Sequence, residues 1–180
     1  MTTQEQSDYL NKHLPYRINS LLATDMITHR RNTNISNEIK EKCYQDSLVL
    51  EPVFEISIIF GRALLHFLGI DFDRSISNLK VFQPKPDDVT IQSLFPGRPF
   101  CPLNDELVMS TKESLCLIIK IANKSVAHLT TVLSSKEEHQ QLAIARQTIY
   151  KLLLKYVPEI NKVSGQDKVG IWWFEQVENS

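Results

Sequence analysis

The chain has 180 residues, of which 42% are hydrophobic and 23% are charged, and its formal net charge is −1. This ordinary globular composition excludes a disordered or low-complexity chain and predicts a single domain over residues 1–180. A charge so close to zero creates no long-range field that attracts polyanions, so contact with nucleic acid would need a local basic patch.

Nothing in the sequence predicts export or a contact with a membrane. Residues 1–10 contain no basic region followed by an apolar run, which is the pattern of a signal peptide. The most apolar stretch, residues 52–68, is interrupted by Glu55, Arg62 and His66 and is too polar for a bilayer span. The three cysteines are widely spaced, without a CxxC motif, as is typical of reduced thiols. We therefore expect a cytoplasmic protein.

Residues 4–31 have the apolar spacing of a helix. One face carries four apolar residues, namely Leu14, Ile18, Leu21 and Leu22. Pro15 fits best near a helix start or at a kink.

A second helical pattern covers residues 36–68, and Gly69 is a suitable residue to end it. Pro52 divides this pattern, which leaves either one kinked helix or two helices.

A row of charged residues lies on one side of this second helix. Its members at helical spacing are Glu51, Glu55, Arg62 and His66. Because a buried charge must be paired, we expect Arg62 to be partly buried and to form an ion pair with a carboxylate of this helix or a facing one. The alternative is a functional polar pocket that faces the helix predicted over residues 111–133.

Residues 70–103 contain five of the eight prolines and show no helical period. Residues 79–82 and 89–91 could pair as a small hairpin, and an ordered excursion would pack through aromatic and apolar side chains. The candidates for that packing are Phe95, Phe100 and Leu103. A lid over a site is the alternative.

The next helix is predicted to be capped by Asn104 and to continue through residues 111–133. Its apolar stripe comprises Leu115, Ile118, Ile119, Ala122, Val126, Leu129 and Leu133. A second face, made of Leu117, Ile121, Lys124 and His128, indicates a central helix or a subunit contact.

The last long helix is predicted to begin at a capping box formed by Ser135 and Glu138. Its apolar positions are Leu142, Ala145, Ile149, Leu152, Leu153 and Tyr156, and Pro158 and Gly165 would end it. The tail that follows, residues 169–180, contains both tryptophans and is expected to dock on the bundle or to mark a partner site.

The segment Ala122 to His128, ANKSVAH, is the stretch that suggests chemistry. Lys124 and His128 are neighbours on one helix face, and the ammonium would lower the pKa of the imidazole, which favours a neutral base. One base does not make an active site. The five histidines include no HxxxH or HExxH pair and the glycines form no phosphate-binding loop, so we expect no metal and no cofactor.

ANKSVAH resembles the signature of the HEPN superfamily, in which an arginine and a polar residue precede a histidine by a short spacer. HEPN domains are helical bundles found in prokaryotic toxin, phage-defence and RNA-processing proteins. The resemblance covers residues 36–157 as a fold, although its specific part is seven residues long. It implies an all-α, single-domain, up-and-down-type bundle of four to five main helices. Residues 70–103 would be a Pro-rich loop or small hairpin excursion within it.

Carried onto this sequence, the resemblance gives Asn123 the polar position and His128 the histidine position, and the arginine position falls on Ala122. Active members use Arg and His of two subunits to cleave RNA without a metal, and alanine cannot hold a phosphate. The resemblance therefore implies a non-catalytic HEPN-like interaction module. It would form a homodimer and bind a protein partner in a prokaryotic stress or defence system.

The alternative function is a divergent metal-independent ribonuclease that uses His128 at the dimer interface. The other candidate catalytic residues are Asn123, Lys124 and Arg62, with Arg62 in place of the missing arginine. A small ligand bound between helices is a third hypothesis, supported by the charged row alone.

Overall fold

The structure is a computed structural model, and it describes residues 2–34, 46–125 and 136–162. Most of these residues are helical, as the sequence predicts, and they include a small two-stranded sheet. The helices are α1 (Thr3–Asp8), α2 (Leu14–Asn34), α3 (Asp46–Leu68), α4 (Ile91–Leu94), α5 (Glu106–Ser110), α6 (Lys112–Ser125) and α7 (Lys136–Tyr156). A π-helical turn, Tyr9–His13, joins α1 to α2, a 3-10 helix, Pro158–Lys162, follows α7, and the strands are β1 (Ile70–Asp73) and β2 (Asn78–Val81).

The most apolar helix, α3, lies at the centre of the described part and contacts α2, α6 and α7. It runs antiparallel to the first helical segment, because Tyr9 stacks on Phe67 and Tyr16 meets Phe60 edge-on. The four apolar residues predicted to share a face of α2 are all buried, and the buried apolar side chains form one cluster.

In the described part of the second helical pattern, residues 46–68 form one helix, since α3 continues through Pro52. Residues 36–45 of that pattern lie outside the described residues. Gly69 ends α3, as the sequence predicts. Its φ is +90°, a conformation that favours glycine, and its N–H donates to the carbonyl of His66 at 3.0 Å. The Phe100 ring packs directly against Gly69, which leaves no room for a side chain there. The end of α3 is therefore fixed by both backbone conformation and packing.

The predicted hairpin has a different partner. Strand β2 pairs antiparallel with β1, so Leu79 lies opposite Phe72 and not opposite residues 89–91. The connection between the two strands, Arg74 to Ser77, is short, and Ser77 has a φ of 49°. A short connection of this kind favours antiparallel pairing of the two strands that it joins. Thr90 instead caps the short helix α4, where its hydroxyl accepts from the N–H of Ser93.

The residues predicted to anchor the Pro-rich segment, Phe95, Phe100 and Leu103, do pack against the core. The predicted cap at Asn104 is wrong by one residue, since the Asp105 carboxylate accepts from the N–H of Leu107 at the start of α5. A break at Thr111 separates α5 from α6.

Helix α6 buries the first four residues of the predicted apolar stripe, Leu115, Ile118, Ile119 and Ala122. The rest of that stripe, the predicted cap at Ser135 and the tail 169–180 lie outside the described residues. In α7 the predicted apolar positions are buried, except that Tyr156 is half-buried.

Within the three described ranges, no helix combines the length and the apolar character that a membrane crossing requires.

Candidate functional site

A pocket of about 170 Å³ lies between α3 and α6. Four of its lining residues come from one face of α3, at the spacing i, i+3, i+4 and i+7: Ile59, Arg62, Ala63 and His66. The fifth is Ala122 of α6. The pocket therefore joins the charged row of α3 to the helix that carries the ANKSVAH motif, as the second interpretation of that row requires.

Arg62 is partly buried, as predicted, but its predicted ion pair is not found in the described part of the chain. Glu55, one candidate partner on the same row, is exposed to solvent. The buried arginine that does hold a carboxylate is Arg146 of α7, which the sequence reading missed. Arg62 thus contributes a positive charge to the pocket without a described carboxylate beside it.

His66 is held from two sides. Its Nε2–H donates to the Asp71 carboxylate at 3.0 Å, and its ring stacks on Phe82 with 4.2 Å between the ring centroids. Both partners reach His66 because the chain turns back at Gly69, whose carbonyl accepts from the N–H of Phe82 at 2.8 Å. Lys80 lies 3.7 Å from the same carboxylate. The imidazole therefore has one defined orientation at the pocket wall.

Burial lowers the pKa of His66, and the nearby charge of Arg62 lowers it further. The hydrogen bond and the charge of Asp71 act in the opposite direction but do not outweigh burial. His66 is therefore neutral at pH 7, with Nε2–H as donor and Nδ1 as acceptor.

Of the residues proposed from the motif, Ala122 is completely buried in the pocket wall and Asn123 is partly buried on α6. Lys124 lies on α6, but the structure does not describe its side chain, and His128 lies outside the described residues. The structure thus brings Arg62 next to Ala122 and does not describe His128.

His66 belongs to the charged row that the sequence predicts, but it was not among the predicted site residues. The available signal was its i, i+4 spacing from Arg62, followed at once by the helix-ending Gly69 and the carboxylate of Asp71. That signal is short and common, so only the pocket distinguishes His66 from an ordinary surface histidine.

A second cluster of titratable side chains joins α5 to the end of α7. Asp105 accepts from the Lys155 ammonium at 2.6 Å and from the Tyr156 hydroxyl at 2.5 Å. Burial raises the pKa of the adjacent Cys101 thiol to about 12, so it carries no thiolate near neutral pH. This cluster links the start of α5 to the end of α7 and contains no activated nucleophile.

Comparisons of the chain with family models, with curated proteins and with solved structures found no match. Residues 2–34, 46–125 and 136–162 hold no group of three or more His, Cys, Asp or Glu side chains placed to bind a metal ion.

Proposed function

We propose that this protein is a non-catalytic, HEPN-like interaction module that acts as a homodimer in the cytoplasm, in a prokaryotic stress or defence system. The observation that carries the interaction role is a row of exposed apolar side chains on α3. Ile56 and Ile59 are 42% and 43% exposed on this otherwise central helix, and Ala63 continues their row. Contiguous apolar surface of this kind is typical of a protein contact.

Ala122 supports the non-catalytic part of the proposal. It fills the position where the HEPN signature has its arginine, and it is completely buried against α3. Losing one preorganised charge contact of this kind costs on the order of 10² to 10³ in rate. The chain's formal net charge of −1 adds no general attraction for RNA.

A ribonuclease remains the second candidate because Arg62 shares the pocket with Ala122. An arginine supplied from α3 would replace the one missing from α6, with His128 as the base.

One pair of measurements tests the proposed function. The purified chain is incubated with single-stranded and hairpin RNA in EDTA, beside His128→Ala and Arg62→Ala, and its mass is measured by light scattering at micromolar concentration. We expect no cleavage above background in any of the three proteins and twice the 20.7 kDa chain mass. Cleavage by the wild type that either variant abolishes would establish the ribonuclease. A monomer at all concentrations would refute the interaction role.

A further inference from the structure

The exposed face of α3 is centred on Ile59. Its exposed members are Pro52, Glu55, Ile56, Ile59 and Ala63, and the partly buried Arg62 borders them. At about 100° per residue, these six positions fall within an arc of about 120° with Ile59 near its middle. The two charged residues lie on one side of Ile59, and the apolar pair Ile56 and Ala63 lies on the other.

This arrangement is complementary to itself. At about 1.5 Å per residue, Glu55 lies about 6 Å before Ile59 along the helix axis and Arg62 about 4.5 Å after it. Consider two copies of α3 that pack antiparallel, related by a two-fold axis that passes near Ile59 and is perpendicular to the plane of the two helices. The charged side of one face then lies opposite the charged side of the other, and the apolar sides likewise lie opposite each other. The order of residues along the helix axis is reversed between the two copies. Glu55 then faces the partner's Arg62, Ile56 faces the partner's Ala63, and the two Ile59 side chains meet.

Within one chain the two charges do not pair in the structure. Glu55 and Arg62 are about 10 Å apart along the helix, which is two turns, whereas ion pairs on a helix surface typically join residues one turn apart. Glu55 faces solvent, and no carboxylate in the described ranges pairs with Arg62. A second copy supplies the missing partner to both residues at once.

The surface that surrounds this face is also suited to a contact. On the side of Ile56 and Ala63, Tyr16 of α2 is 61% exposed and rests edge-on against Phe60. On the side of Arg62, the pocket wall continues to α6 at Ala122. The contact can therefore extend from α3 onto α2, and a stable dimer requires more area than one pair of helices buries.

We infer that α3 packs antiparallel against α3 of a second copy of this chain, with the two-fold axis at Ile59 and Glu55 paired with the partner's Arg62. This inference rests on the proposed homodimer and assigns it an interface. It differs from the contact that the sequence suggested on α6, where Leu117 and Ile121 are already partly buried against the chain's own core.

The first test changes the centre of the face. Ile59→Asp places a charge at the two-fold axis, and Ile76→Asp places the same charge at a residue that is 67% exposed on the hairpin connection. Sedimentation equilibrium gives the dimer dissociation constant of each. We expect Ile59→Asp to weaken the dimer at least about a hundredfold and Ile76→Asp to leave it within about threefold of wild type.

The second test uses the predicted charge pairing. Glu55→Arg and Arg62→Glu each place like charges opposite each other in a homodimer, so each alone should dissociate at least about tenfold more readily than wild type. Mixed in equal amounts, the two variants have opposite charges at both contacts. We expect the mixture to form a heterodimer of near wild-type affinity. Circular dichroism of each variant is the control that checks whether it is folded.

These outcomes separate the interface from the proposed function. If the wild type is a dimer but Ile59→Asp does not weaken it, or if mixing does not restore association, the α3 interface is wrong and the homodimer stands on another face. If the wild type is a monomer, the proposed function itself fails.

Discussion

Arg146 of α7 and Asp25 of α2 form a buried ion pair with two hydrogen bonds between the two helices. Nε of Arg146 donates to Oδ2 at 2.8 Å and Nη2 donates to Oδ1 at 2.6 Å, and the arginine side chain is only 3% exposed. The pair joins residues that are 121 positions apart in the sequence. The Nη1 atom of the same guanidinium is buried without a hydrogen-bond partner, so this charge depends strongly on its carboxylate.

Asp25→Ala should therefore destabilise the fold by about 3 to 5 kcal/mol, because it leaves a buried guanidinium unpaired. The free energy of unfolding in urea measures this effect. Asp25→Leu combined with Arg146→Met, which removes both charges, should recover most of the loss. A double variant as unstable as Asp25→Ala would show that lost packing, and not the unpaired charge, causes the effect.

Arg62→Ala is the matched control for the Asp25–Arg146 ion pair in the urea unfolding experiment. Since Arg62 has no ion pair in the described residues, its removal from the isolated protomer should change the unfolding free energy by less than about 1 kcal/mol. A loss of several kcal/mol in the dimer-weakened Ile59→Asp background would mean that Arg62 pairs within its own chain, as the sequence first suggested.

A comparison of Gly69→Ala with Gly97→Ala distinguishes the cost of backbone strain from the cost of a steric clash with a neighbouring side chain. Both glycines have positive φ, +90° and +87°, so alanine at either costs about 1 to 2 kcal/mol of conformational energy. A Cβ at Gly69 would also overlap the Phe100 ring, whereas a Cβ at Gly97 meets nothing within 4 Å. We expect Gly69→Ala to lower the thermal midpoint much more than Gly97→Ala. Equal shifts would mean that the Phe100 ring moves aside at little cost.

Cys101 should resist alkylation in the native protein. It is 2% exposed, and burial raises its pKa to about 12, so neither access nor thiolate is available. Cys116 is half-buried, with a pKa that burial raises as well, and should react sooner. Peptide mapping after iodoacetamide treatment at pH 8 measures both rates, with urea-unfolded protein as the control in which the two thiols react alike. Faster labelling of Cys101 than of Cys116 would contradict its burial.

Because of His66, we expect the free energy of unfolding to decrease as the pH falls below 6.5. Burial lowers its pKa in the folded state below the ordinary value of 6.5, so the unfolded chain binds the proton more readily. The contribution of neutral His66 is complete above pH 6.5 and is lost as the pH falls through its folded pKa. Wild type should lose more unfolding free energy between pH 7.5 and pH 5 than His66→Gln does. Equal losses in the two proteins would place the His66 pKa at its ordinary value.

The sequence by itself determined which residues of each helix face inward. The spacing of Leu115, Ile118, Ile119 and Ala122 predicted the buried face of α6. It also located the end of α3 at Gly69, since a helix end depends on the conformation of a single residue. These features are local: helical periodicity and backbone preference act over a few residues, and both can be read from a short stretch.

Only the tertiary structure decided which element each face meets. Periodicity indicates that an arginine lies near a buried face but not which carboxylate another helix presents, so the buried ion pair was expected at Arg62 and is found at Arg146. Likewise β2 could have paired with residues on either side of it in the sequence, and the short connection Arg74 to Ser77 places it beside β1. The pocket between His66 and Ala122 has the same origin, because its walls belong to helices whose mutual position depends on the packing of the whole core.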